Sequence, residues 1–305
     1  MSKFLCICLS STIQRTITFS ALTLTQVNRS EKYRQDASGK AVNSARVLNQ
    51  LEKGCVQTVC PLGKDNQELF INLAKKDELP LAFVTIPGAT RECWTLLDRT
   101  AGTTTELVVS EPAIAESDMA EVTKAENKLL KFITDALPDV DAVLLAGSRP
   151  AIWSNDLYAT IAGITKDNGK IFLADFIGKD LELALKTAVP DIIKINDEEF
   201  CKTFGIEWPA AEDTLKSQIT QKSIEYKNIF VITRGKSSTF AARAGEFFEC
   251  ATETVKAVNT TACGDSFNAG FLYEYTTSGD LQKALEKGTW CAARNAEREV
   301  PGGVK

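Results

Sequence analysis

None of the 305 residues is histidine, and that absence excludes more chemistry than any other feature of the composition. Ser-His-Asp and Cys-His nucleophile systems need an imidazole to carry the proton, and many zinc sites need it as a ligand. Any general base must therefore be a carboxylate, lysine, tyrosine, cysteine or water. No run of about 18 apolar residues occurs, so no membrane-spanning helix is expected. A basic excess is also missing: 35 Lys and Arg against 40 Asp and Glu give a formal net charge of −5. Nucleic acid is therefore not an expected partner, although an acidic chain can still hold phosphate in a pocket. The phosphate loop GxxxxGK(S/T) and the dinucleotide fingerprint GxGxxG are both absent, as are internal repeats and long polar linkers.

Nine cysteines are present, an odd number scattered along the chain. They read as free thiols of a reducing cytoplasm rather than a disulfide framework. Cys6 and Cys8 share one face of a strand, but with no second pair and no histidine they read as buried thiols. Phe4–Leu9 follows a single lysine, as a short signal peptide would, yet Ser10-Ser11-Thr12 leads straight into another alternating segment. A first buried strand is the reading that fits both.

Short apolar runs alternate with longer amphipathic stretches, which predicts an α/β fold with a mainly parallel central sheet flanked by helices. Strands are expected at Phe4–Leu9, Val56–Cys60, Ala142–Ala146, Lys170–Ala174, Asp191–Ile195 and Ile229–Thr233. Helices are expected at Ala41–Leu51, Gln67–Lys76, Ala120–Ala136, Ser154–Thr165, Asp197–Phe204, Glu212–Tyr226, Asp265–Thr276 and Leu281–Arg298. Thr12–Leu24, Leu81–Ile86, Glu92–Asp98 and Thr104–Val109 are strand-like without helices between the last three, and Asp98–Gly102 has the residues of a hairpin turn. The expectation is one domain over residues 1–305, with a small antiparallel β lid built from about 12–36 and 81–111.

The strongest chemical signal is Asn259-Thr260-Thr261-Ala262-Cys263-Gly264-Asp265-Ser266-Phe267. Small residues and a glycine run into a helix whose apolar face begins at Phe267. The unpaired amides of such a helix start attract an anion. Asp265 stands where it can meet a hydroxyl approaching the same anion, and a helix start favours its carboxylate form. Taken alone, the piece serves equally as a cap and turn.

This stretch resembles the signature D-T-x-G-A-G-D-x-F of the ribokinase-like, phosphofructokinase-B type carbohydrate kinases. The resemblance covers nearly the whole chain in order. Ser38-Gly39-Lys40-Ala41-Val42-Asn43-Ser44-Ala45-Arg46 is similar to G-G-K-G-x-N-x-A-R, Lys194–Glu199 to K-P-N-x-x-E, and Thr233-Arg234-Gly235 to the start of a nucleotide loop. Val27-Asn28-Arg29, Thr90-Arg91, Thr105-Glu106-Leu107 and Gly147-Ser148-Arg149-Pro150 resemble the 1-phosphofructokinase and tagatose-6-phosphate kinase branch. The resemblance implies ATP-dependent phosphoryl transfer to a sugar phosphate with Mg2+, and a homodimer through the lid. Asp265 is then the base, with Ala262, Cys263 and Gly264 as the anion hole. Gln14, Gly39, Lys40, Asn43, Arg91 and Ser148 face the sugar phosphate, with Lys40 and Arg91 suited to its phosphate. Lys194, Asn196, Thr233, Arg234, Gly235 and Asn295 face the nucleotide, and Glu199 acts on the metal through water.

The chain departs from the pattern inside the site. Gln14 stands for the acid of N-P-x-x-D, Ser38 and Ala41 for glycines, Asn259 for the first acid of the signature, and Ala262 for a glycine. Ala262 fits only if its backbone needs no positive φ. Two other readings therefore stay open: a kinase of an unphosphorylated sugar or nucleoside, and an impaired homologue that binds sugar phosphate or nucleotide as a sensor.

Overall fold

The computed structural model describes every residue except 1, 31 and 112. The apolar runs become strands buried on both faces. β1 (Phe4–Ile7), β4 (Val56–Gly63), β8 (Ala142–Ala146), β9 (Ile171–Asp175), β10 (Ile192–Asn196) and β11 (Ile229–Arg234) pair in parallel, with β5 (Leu81–Ile86) added beside β4. A hairpin of β12 (Ser237–Arg243) and β13 (Glu246–Cys250), which the sequence analysis missed, extends the far edge antiparallel to β11. The nine strands run β13-β12-β11-β10-β9-β8-β1-β4-β5.

Alternation along each strand feeds two cores, one per face. Phe4, Cys6 and Cys8 pack with Val42, Leu48, Phe267 and Phe271 beneath α1 (Lys40–Leu51), α2 (Gln67–Lys76), α8 (Cys263–Ser278) and α9 (Leu281–Ala296). Leu5, Ile7 and Leu9 pack with Leu129, Ile161, Leu181, Phe200 and Ile219. These come from α3 (Met119–Ala136), α4 (Leu157–Asp167), α5 (Gly178–Thr187), α6 (Asp197–Phe204) and α7 (Glu212–Tyr226). Among the described residues no helix is long and apolar enough to cross a membrane, and all nine cysteines are free thiols.

A second sheet of four strands orders β2 (Thr12–Phe19), β3 (Lys32–Ser38), β6 (Arg91–Asp98) and β7 (Thr103–Val108) as β3-β2-β6-β7. Its two outer pairings are antiparallel, as expected of the lid, while the central β2–β6 pairing is parallel. The β6–β7 turn closes as its residues predict: the Asp98 carboxylate accepts from the amides of Thr100 and Ala101 at 2.9 Å. One part of the expected lid moves. Leu81–Ile86 is not in this sheet but pairs with Thr58–Gly63 on the edge of the main one. The α2 crossover returns the chain parallel to β4, where an open edge of the main sheet receives it.

Strand order reverses between β1 and β8, the chain passing β1, β4, β5 on one side and β8 to β11 on the other. In open parallel sheets ligands bind beyond the carboxyl ends of strands at such a switch point. Here that crevice is bordered by Ser10 and Ser11 after β1, by Gly147 and Ser148 after β8, and by the lid.

Candidate active site

Beyond the carboxyl ends of β1, β8, β9 and β10 the starts of α1 and α8 meet. Gly39 precedes α1 with φ +125°, and a Cβ there would lie 2.6 Å from Cys8 Sγ and 3.0 Å from the Ser10 carbonyl. Only glycine passes this point without moving the segment that follows β1, and the turn delivers Lys40 and Asn43 to the crevice.

Asp265 lies in the first turn of α8, 7% exposed. Its Oδ2 accepts from Asn43 Nδ2 at 2.8 Å, while Oδ1 has no partner among the described residues. Burial pushes its carboxyl up to about 6; Lys40, the Asn43 bond and Lys194 oppose the rise, and Asp175 adds to it. The expected dominance of the helix start is thus reversed: dehydration outweighs it. Just before Asp265, the amides of Gly264 and Asp265 itself donate to no carbonyl among the described residues. Lys194 Nζ sits 3.1 Å from where a Gly264 Cβ would be.

Ala262 takes φ +65° and ψ 14°. The condition set by the sequence fails, since this position does need a positive φ, and alanine holds it at a cost of about 1–2 kcal/mol. Asn259 beneath it is 1% exposed, accepting from the Thr261 amide and donating to the Glu299 carbonyl, both at 3.0 Å. Cys263, the least buried of the nine thiols, is pushed up to about 11 by burial and stays protonated at neutral pH.

A carboxylate that the sequence analysis missed joins both ends of the site. Asp175, 1% exposed at the end of β9, is paired with Lys40 Nζ at 3.1 Å and Lys194 Nζ at 3.3 Å, and accepts from Asn268 Nδ2 at 2.6 Å. Burial pushes its carboxyl up, but Lys194 and Lys40 more than offset this and hold it well below the usual carboxylate range. Its only trace in the sequence is a carboxylate at the end of an apolar run.

Among the residues expected to face the sugar phosphate, the Gln14 amide donates to Thr95 Oγ1 at 2.9 Å within the lid. The Asn43 carbonyl is used by Ser38 Oγ at 2.9 Å and Arg46 Nη1 at 3.1 Å. Asn43 is therefore a holder of Asp265 more than a loose sugar contact. Arg91 reaches the base of the lid, its Nε donating to Thr12 Oγ1 at 3.1 Å. Ser148 lies in the loop after β8, beside Gly147, a glycine at φ +106° with Lys40 Cβ 3.9 Å from its own would-be Cβ. The lid touches the signature loop through Thr261 Oγ1, which donates to Glu106 at 2.5 Å.

On the other side Lys194, Asn196 and Thr233 gather at adjacent strand ends, with Asn196 paired in register to Thr233 and Gly235 in the following turn. Asn196 and Glu199 form a capping box, each accepting from the other's amide at 2.8 Å. Glu199 Oε2 is used in this way, while Oε1 has no hydrogen bond among the described residues. Two expected nucleotide residues are engaged elsewhere. Arg234 pairs with Glu212 and lies 4.1 Å over the Phe240 ring. Asn295 is fully buried and donates to the Thr261 carbonyl at 2.8 Å and Cys263 Sγ at 3.3 Å, while accepting from the Gly302 amide at 2.6 Å. It braces the signature loop from below, with no side-chain polar atom left over for adenine.

The sequence profile of the pfkB family carbohydrate kinases matches residues 3–302. The chain belongs to that family. Solved structures agree on the fold of this pfkB family carbohydrate kinase. A "possible 1-phosphofructokinase" of Thermotoga maritima superposes with TM-score 0.84 at 18% identity, covering 98% of this chain and 93% of that one. Phosphofructokinase-2 of Escherichia coli, solved with fructose-6-phosphate, gives 0.82 at 16% identity over 97% and 94%. Thermotoga maritima ribokinase gives 0.73 at 19% identity over 99% and 95%.

Proposed function

We propose that this carbohydrate kinase transfers the γ-phosphoryl group of ATP to a hydroxyl of a sugar phosphate, as 1-phosphofructokinases and tagatose-6-phosphate kinases do. The observation that carries the reading is Asp265: a buried carboxylate with one oxygen tied to Asn43 and one unpartnered, beside unpaired amides and Lys194. The unpartnered oxygen accepts the proton of the acceptor hydroxyl as it attacks. The Gly264 and Asp265 amides and Lys194 lie where negative charge spreads over the transferring group. Lys40 and Arg91 supply positive charge on the acceptor side. The nucleotide runs along the ends of β10 and β11, past Lys194, Asn196, Thr233 and Gly235.

No cluster of three metal-ligating side chains exists among the described residues. A Mg2+ ion keeps most of its waters and leans on phosphate oxygens. The Glu199 oxygen left outside the capping box would hold such a water, and the ion would neutralise the polyphosphate. The nine thiols suit a reducing cytoplasm. The lid offers a pairing surface: register puts Tyr33, Ile17, Trp94, Leu96 and Leu107 on the face turned from Thr95 and Glu106. Leu107 is 50% exposed there, which favours a homodimer through the lid.

The test is ADP release against a panel of sugars and sugar phosphates. Turnover of a sugar phosphate above its parent sugar supports the reading, and turnover of unphosphorylated sugars or nucleosides alone sinks it. The strained Ala262 favours the sensor as the second reading; binding of ATP and a sugar phosphate with no turnover of any panel member would establish it.

A further inference from the structure

Glu111 stands at the acceptor end with no role in the account above. It follows β7 in the segment leaving the lid, and accepts from Ser10 Oγ. The same oxygen lies 3.2 Å from Arg91 Nε. Arg91 is thereby neutralised on its Nε edge, while its two terminal amino groups donate no hydrogen bond among the described residues. Glu111 also lines a small pocket at the switch point with Ser11, Gly63, Thr90, Pro150 and Ile152. Ser11 is 4% exposed, and its buried hydroxyl makes no hydrogen bond among the described residues. Beside it, Arg91 offers a polar ligand a cation that already carries its own counter-charge.

Four other cations of the site and the lid are likewise paired with carboxylates. Lys40 and Lys194 share Asp175, Arg15 holds Glu92, and Arg34 holds Asp36. A phosphate dianion taking the open fork of Arg91 would therefore sit on a guanidinium that a carboxylate already shares. Resting on the sugar-phosphate reading, we propose that Glu111 is a specificity-determining residue. Its carboxylate competes with the acceptor's phosphate for Arg91 and so sets how strongly the site prefers phosphorylated over unphosphorylated sugar.

The test is equilibrium binding of fructose 6-phosphate, fructose 1-phosphate and fructose to the wild type, Glu111→Gln, Arg91→Ala and the double variant. Glu111→Gln is expected to tighten at least one of the phosphates about tenfold and to leave fructose within about twofold. The gain is expected to vanish in the Arg91→Ala background, and Glu111→Asp, which keeps the charge, should discriminate as the wild type does. Equal tightening of fructose, no tightening of either phosphate, or a gain that survives without Arg91 overturns the proposal. So does failure of both phosphates to bind either the wild type or Glu111→Gln. Binding that depends on Glu111 without turnover would remove the kinase reading and leave this inference standing; turnover of a sugar phosphate with no Glu111 effect would do the reverse.

Discussion

Replacing Asp265 by Asn separates what the residue does for catalysis from what it costs the fold. Folding moves this carboxyl from its ordinary value of 3.8 to about 6. With a raised pKa the native state binds the proton more tightly than the unfolded chain does. Stability is therefore lost as pH rises between the two values, and the loss is complete above pH 6. Two pH units correspond to about 3 kcal/mol, and at 7% exposure solvent screening removes little of it. Asp265→Asn keeps the shape and the Asn43 contact without the buried charge. Its melting temperature relative to the wild type should be higher at pH 8 than at pH 4 by about 5 °C, taking about 2 °C per kcal/mol for a chain of this size. Meanwhile kcat should fall by about 10²–10⁴-fold, the usual loss of a general base. Thermal unfolding at the two pH values and ADP release on one preparation read both quantities. A variant that gains nothing at pH 8, or keeps a tenth of wild-type turnover, would refute the buried-base argument.

Ala262→Gly should raise unfolding stability by about 1 kcal/mol, because glycine enters the positive-φ region without steric cost; denaturant melts measure this, and no gain would mean the turn is unstrained. Asp175→Asn should lose about 3–5 kcal/mol at neutral pH by leaving buried Lys194 without its counter-charge. Because the Asp175 carboxyl is depressed, its stabilisation holds above the unfolded value of about 4 and is lost as pH falls below it, so acid should melt the wild type more steeply than the variant. Leu107→Asp, on the exposed lid face, should halve the mass seen in sedimentation; an unchanged mass would move the pairing surface away from the lid.

The fold was legible wherever burial on both faces left its mark. The runs at Phe4, Ala142 and Ile229 read as buried strands of one sheet, and long amphipathic stretches between such runs as helices. Leu81–Ile86 was not legible in the same way, because a strand's alternation says nothing of its partner. An edge strand of the main sheet and a lid strand read alike. Within the site, the helix start at Asp265 and the glycine at Gly39 could be read because each is a local backbone requirement. Arg234 and Asn295 stood at fitting positions, but their partners, Glu212 and the Thr261 carbonyl, come from distant segments. Asp175 is the extreme case, since Lys40 reaches it across 135 residues of sequence.

Asp175 also bears on how a chain without histidine obtains a usable base. A carboxylate of ordinary pKa is a poor proton acceptor, and one ion-paired to lysine is poorer still. Two lysines lie close to Asp265, yet both hydrogen-bond or pair with Asp175 instead, and the Asp175 charge itself pushes Asp265 upward. The arrangement ties both lysines to Asp175, so that they offset the rise of the Asp265 carboxyl only in part. Neutralising Asp175 by Asn should then release the lysines toward Asp265 and remove a repelling charge. The acid limb of the kcat/KM profile, expected at about pH 6, should move to lower pH in Asp175→Asn. The acceptor's own phosphate titration is common to both proteins and cancels in the comparison. A limb that stays in place while the variant remains folded would show that burial alone sets the base, and that Asp175 serves only to hold the lysines.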